Sequence, residues 1–204
     1  MPPRRQVPET KRRVPRQARS AETVALILEA SAQILEARGL AGFTTNAVAE
    51  RAGVSVGTLY QYFDDKRAIL VALARQEVEA TLTELRKATT APEEATVEGR
   101  ARAAVRAIVN GFRGRLRARK AVVQAVLAQG SGVEVMAPVA AFIAAQPRLL
   151  LPAFTDVQLF VLSRALLGTI RAAVLEEQPF FRSRAFEDEL VRLIAGYFRA
   201  IIAT

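Results

Sequence analysis

The chain has 204 residues, 51 % of them apolar and 24 % charged, with a formal net charge of +9. That composition supports a packed core, and the basic excess favours polyanionic partners, nucleic acid before an anionic membrane. The chain has no Cys and no His, which excludes disulfides, thiol nucleophiles, His-ligated metals and His-based catalysis. A carboxylate enzyme stays open, but no metal, no cofactor and no enzymatic activity are expected.

Residues 1–18 read as a flexible basic arm. Arg4, Arg5, Lys11, Arg12, Arg13, Arg16 and Arg19 face a single acid, Glu9, within the first twenty positions, and Pro2, Pro3, Pro8 and Pro15 interrupt the stretch. Such a segment gains order on phosphates or serves as a solubilising tail. No apolar stretch follows it as a signal peptide requires. The longest uncharged runs, Ala121–Val133 and Val135–Pro147, hold 13 residues each, short of the ~20 that a membrane span needs. A cytoplasmic protein with no membrane partner is expected.

A first helix is expected to open at Ser20, with Val24, Ile27, Leu28, Ser31, Ile34 and Leu35 on one stripe and Gly39 just past its end. Thr44 or Thr45 caps a second helix, with Ala47, Val48 and Ala49 as a short apolar face. Gly53 permits a sharp turn and Ser55 caps a third helix. In that third helix Leu59 and Phe63, with Val54 before it, point inward, while Val56, Gly57, Thr58, Tyr60, Gln61 and Tyr62 are left outside. Helix, glycine turn and capped helix make a helix-turn-helix. Gln61 suits adenine edges, Thr58 and the tyrosines suit thymine methyls, and Gly57 leaves room for close backbone approach. The alternative reading packs the tyrosines against the fourth helix, which Asp65 caps and Lys66 begins.

Residues 20–70 resemble the DNA-binding domain of the tetracycline-repressor (TetR) family. The resemblance is carried by Ile27-Leu28-Glu29-Ala30, Arg38-Gly39, Thr44-Thr45, Ala47-Val48-Ala49, Ala52-Gly53-Val54-Ser55, Gly57-Thr58-Leu59-Tyr60, Tyr62-Phe63 and Lys66, in order. It implies an all-α homodimer of about nine helices. A helix-turn-helix domain over 19–66 would precede a helical ligand-binding and dimerisation domain over 67–204. It further implies a repressor that binds a palindromic double-stranded DNA operator and is released by a small-molecule effector. A constitutive binder or activator of the same fold, without an effector, is the alternative. Carried over by position, Thr45 would touch phosphate, Ser55, Val56, Gly57, Thr58, Tyr60 and Gln61 would enter the major groove, and Tyr62 and Lys66 would reach the backbone. Val56 stands where the family often has a polar or charged residue, which favours a methyl contact there.

Beyond Lys66 the chain reads as helices broken at Ala91-Pro92, Gly130-Ser131-Gly132, Pro138, Pro147, Pro152 and Gln178-Pro179. By analogy with the family, residues 97–154 enclose a pocket. Phe112, Val126, Met136, Phe142 and Phe154 are candidate walls and Gln124 a polar contact, and the scarcity of polar groups favours an apolar or aromatic effector. Arg113, Arg115, Arg117, Arg119 and Lys120 read as a solvated helix end that favours the helix dipole, or as a site for an acidic ligand or phosphate. Residues 157–176 are apolar on nearly every side and residues 184–203 carry a wide apolar stripe, which suits a four-helix bundle made by two subunits. Leu166, Gly168, Ile170, Leu190, Leu193, Ile194 and Tyr197 are the expected interface. The carboxylate pairs Asp64-Asp65 and Glu176-Glu177 are explained by helix capping and by a polar helix end.

Overall fold

A computed structural model describes residues 16–90, 96–111, 114–130, 132–144 and 154–202. Among these residues there are nine α-helices and no strand. The arm before Arg16, Phe112, Arg113 and the breaks at Ala91-Pro92, Ser131, Pro147 and Pro152 lie outside the described residues.

Helix α1 spans Arg16–Arg38, so Ser20 lies inside it and is not its cap. Nothing after Pro15 interrupts the helix, because Arg16, Gln17, Ala18 and Arg19 are all good helix formers. The expected stripe is its inner face: Ile27 and Leu35 are fully buried, and Ser31 satisfies its hydroxyl on the Ile27 carbonyl. Gly39 leaves the helix at φ +61, and a 3-10 turn at Leu40–Gly42 brings buried Phe43 under the next two helices. These are α2 (Thr45–Ala52) and α3 (Val56–Tyr60). Their inner residues Val48, Ala49 and Leu59 join Ile27, Leu35 and Phe43 in the core.

Six further helices follow: α4 (Lys66–Thr90), α5 (Val97–Gly111), α6 (Leu116–Ala128), α7 (Gly132–Ala144), α8 (Asp156–Leu175) and α9 (Arg184–Ile202). Helix α4 is the spine. It packs on α1 at its start and on α5, α6 and α7 further along. Gly111 lets α5 approach α4 closely, since a Cβ there would sit 2.7 Å from Thr81 Oγ1. Pro138, expected to break the chain, lies within α7. It forfeits one helical hydrogen bond, and burial of Val135 and Val139 holds the segment helical. Thr155 starts α8 with a reciprocal capping box to Gln158.

Helix α8 has the length and composition of a membrane span, as core helices also do, although Arg164 and Arg171 interrupt it. Contrary to expectation, it is not buried all round. Leu162, Leu166, Ile170 and Val174 enter the chain's own core, while Val157, Phe160 and Val161 are 71 %, 61 % and 45 % exposed. Leu166, Ile170, Leu190 and Ile194, expected at a subunit interface, are therefore spent inside the protomer. On a helix with two apolar faces, periodicity does not say which face the chain's own core claims. Of the expected set Leu193 is exposed, and Tyr197 is half-buried beside Phe154.

Candidate nucleic-acid interface and the cavity behind it

The short helices α2 and α3 are held by local chemistry. Thr44 Oγ1 accepts the Ala47 N–H at 3.2 Å, and Ser55 Oγ accepts the Thr58 N–H at 2.9 Å. Each satisfies a donor that the first turn would leave unpaired, worth about 1 kcal/mol. Gly53 ends α2 at φ +70, a conformation costly for other residues. Leu59 and Phe63 anchor α3 inward.

The outward side then carries exposed Ser55, Val56, Gly57, Tyr60 and Gln61, with Thr58 half-buried. Tyr60 OH lies 3.3 Å from Thr45 Oγ1, so α2 and α3 share a polar edge. A Cβ on Gly57 would meet nothing nearer than Ser55 Oγ at 3.8 Å, leaving bare backbone at the surface. Helix α3 ends at Tyr60, sooner than expected. Gln61 and Tyr62 form a tight turn in which the Tyr62 N–H donates to the Leu59 carbonyl at 3.0 Å. Tyr62 is half-buried against the core rather than standing free. Lys66 is exposed at the start of α4, where Asp65 Oδ1 caps the Ala68 N–H at 2.8 Å.

Behind the α2–α3 unit, α4 to α8 line a cavity of about 220 Å³. Its walls are mostly apolar, with Val78, Ile108, Val122, Val126, Val135 and Leu167 among them. The lining extends past residues 97–154 to Ala74–Thr81 of α4 and Arg164–Arg171 of α8, because a cavity is made by helices distant in sequence. Gly168 and Ile170, expected at the dimer face, line it as well. Of the expected wall residues Val126 lines it. Gln124 is exposed, turned roughly 200° from Val122 on the same helix. Phe142 sits beneath the Arg86 guanidinium, and Phe154 packs on Tyr197 and Phe198, so neither lines this cavity. Phe112 lies outside the described residues, as does the side chain of Met136. Burial pushes the Glu77 carboxyl above its usual range, against the opposing pull of Arg119, whose Nε lies 3.6 Å away.

Residues 27–73, which hold the whole α2–α3 unit, match the family model of bacterial regulatory proteins, tetR family. The N-terminal domain is a TetR domain. Solved structures similar to the whole chain include a TetR-family transcriptional regulator from Mesorhizobium loti MAFF303099, with 18 % identity, TM-score 0.63 and coverage of 91 % of this chain and 97 % of that one. BioQ with its natural double-stranded DNA operator shares 19 % identity at TM-score 0.61, covering 86 % and 98 % of the two chains. The multidrug-binding protein EbrR complexed with ethidium shares 22 % at TM-score 0.59, covering 84 % and 98 %. At these identities the likeness is one of fold. None of the curated proteins compared with the chain matches it.

In this TetR fold, reader and cavity are joined by a clasp not foreseen from the sequence. Arg115 donates two hydrogen bonds to the Glu29 carboxylate, at 2.9 and 2.5 Å, and Glu36 Oε2 accepts the Ala118 N–H at 2.9 Å. Both acids belong to α1, and both grip the N-terminal end of α6, whose residues Arg119, Val122 and Val126 line the cavity. The basic run thus begins a helix instead of ending one, a placement the helix dipole disfavours. Acids from elsewhere compensate: Glu29 for Arg115, Glu77 for Arg119 and Glu177 for Lys120. The Arg115 guanidinium and the Gln33 amide hold the Glu29 carboxyl down at about 2. The signal available in the sequence was the row Glu22, Glu29, Glu36, evenly spaced along one side of α1.

Proposed function

We propose that the protein is a cytoplasmic, homodimeric, DNA-binding transcriptional regulator, a repressor that leaves a palindromic operator when a small molecule enters the α4–α8 cavity. The observation that carries the reading is the outer side of α3: exposed Val56, Tyr60 and Gln61 around the bare backbone of Gly57, with Thr45 alongside. Lys66 stands at the edge as a phosphate contact. The operator bound by BioQ and the ethidium bound by EbrR support the same two roles here. The dimer reading draws on the exposed Val157, Phe160, Val161 and Leu193, apolar area that a second copy would cover. No enzymatic role is assigned. Asp65 is occupied as a cap, Glu177 pairs with Lys120, and Glu176 accepts from Gln178.

Selecting duplexes from a random pool tests this reading. An inverted repeat should emerge, with half-sites one helical turn apart or somewhat more. Gln61→Ala should relax preference at particular base pairs by about 1–3 kcal/mol, whereas Lys66→Ala should weaken all sequences alike. A pool that yields no common sequence overturns the proposal. So does a change of base preference in Lys66→Ala, which would misplace α3 on the duplex.

A further inference from the structure

The cavity's charge is unevenly distributed. Four charged side chains line it: Glu77, Arg119, Arg164 and Arg171. Glu77 and Arg119 face one another and leave the interior close to neutral. Arg164 and Arg171 are exposed on α8, and among the described residues neither forms an ion pair. Arg75, Arg102, Arg106, Arg115 and Arg199, by contrast, each hold a carboxylate. Between the two arginines sits Gly168, four residues after one and three before the other, hence on their side of the helix. A Cβ there would meet nothing within 4 Å. The rim is therefore open between two unmatched guanidiniums, and the Phe160 ring lies 5.3 Å from the Arg164 guanidinium carbon, holding that cation in place.

We infer that the cavity binds an amphipathic anion, a medium-length alkyl carboxylate, with its chain among the valines and its carboxylate at the rim between Arg164 and Arg171. This rests on the cavity being the effector site proposed above and adds the charge of the ligand to it. The cavity of about 220 Å³ has room for a short or medium alkyl chain. A cationic amphiphile is disfavoured, since it would have to pass two guanidiniums to reach an acid that Arg119 already holds. Guanidinium and carboxylate also match in geometry, as a fork of donors against two acceptor oxygens.

Calorimetry of the full chain with octanoate, octanol and octylamine, each below its micelle concentration, tests the inference. All three carry the same tail, so the head group alone varies. Octanoate is expected to bind about tenfold more tightly than octanol, and octylamine more weakly than octanol. In the double variant Arg164→Gln/Arg171→Gln, octanoate should fall to the level of octanol while octanol itself is unchanged. Both side chains are exposed within the protomer but share the α8 face of Phe160, the subunit face proposed above, so thermal unfolding and sedimentation of the variant are measured alongside, to separate lost binding from lost folding or assembly. Equal binding of octanoate and octanol overturns the proposal, as does tightest binding of octylamine or an unaffected double variant. Displacement of the selected duplex is measured separately. Octanoate that binds through the two arginines yet releases no DNA upholds the anion site and removes the effector role.

Discussion

Breaking the clasp between α1 and α6 should uncouple the reader from the cavity without destroying either. The Glu29 shift from 4.5 to about 2 would by itself correspond to about 3 kcal/mol. The Glu29 and Arg115 side chains are 52 % and 41 % exposed, so solvent screening reduces the pair to about 1 kcal/mol, the upper end for an exposed bidentate contact. A double-mutant cycle of Glu29→Gln and Arg115→Gln, read by urea unfolding at pH 7, should return that coupling energy, reduced at 1 M salt. Its pH dependence has a defined sign. A carboxyl whose folded pKa is depressed contributes fully above its ordinary pKa and loses that contribution as pH falls through the folded value. The coupling should therefore be intact at pH 6 and shrink between about pH 4.5 and pH 2. In DNA release the same cycle should lower the ratio of duplex affinities without and with bound ligand by about fivefold, the equivalent of 1 kcal/mol. A coupling energy of zero at pH 7, or one unchanged from pH 6 to pH 3, would refute the clasp.

Two further outcomes follow from the charge and the apolar faces. Because α1 begins at Arg16, removing residues 1–15 takes away Arg4, Arg5, Lys11, Arg12 and Arg13 without cutting the described helix. Affinity for selected and random duplexes should fall together, and the slope of log K against log salt should flatten by about 0.9 for each phosphate that the arm neutralises; an unchanged slope would make the arm a tail. Phe160→Glu, at a site 61 % exposed within the protomer, should leave the monomer folded and shift sedimentation from dimer to monomer. Dimers of undiminished affinity would place the subunit interface elsewhere.

What was legible in the sequence follows the range of the interactions concerned. Thr44, Ser55, Asp65, Gly39 and Gly53 act on backbone within three residues of themselves, so their residue types alone announce the helix ends. Ser20 reads as a cap although it lies inside α1, because capping chemistry is permissive: a serine followed by acids looks the same whether or not good helix formers precede it. The basic residues from Arg115 to Lys120 begin a helix instead of ending one, for a related reason. The acids that make their position tolerable, Glu29, Glu77 and Glu177, come from other elements. The cavity was least legible. Val126 lines it by lying on the inner side of α6, whereas Gln124, two residues away, faces solvent. Arg164 and Arg171 reach its rim only through the packing of α8.

The central claim, that the outer side of α3 meets DNA at close range, is tested most directly at Gly57. Alanine there meets nothing in the protein within 3.8 Å and removes the conformational cost of a helical glycine, so Gly57→Ala should unfold at the same or higher stability, by up to about 0.5–1 kcal/mol. The added methyl projects where the duplex must approach. Fluorescence anisotropy on the selected duplex should show affinity reduced about tenfold or more, with the fold intact. Unchanged affinity in a stable Gly57→Ala protein would contradict the assignment of α3 as the reading element.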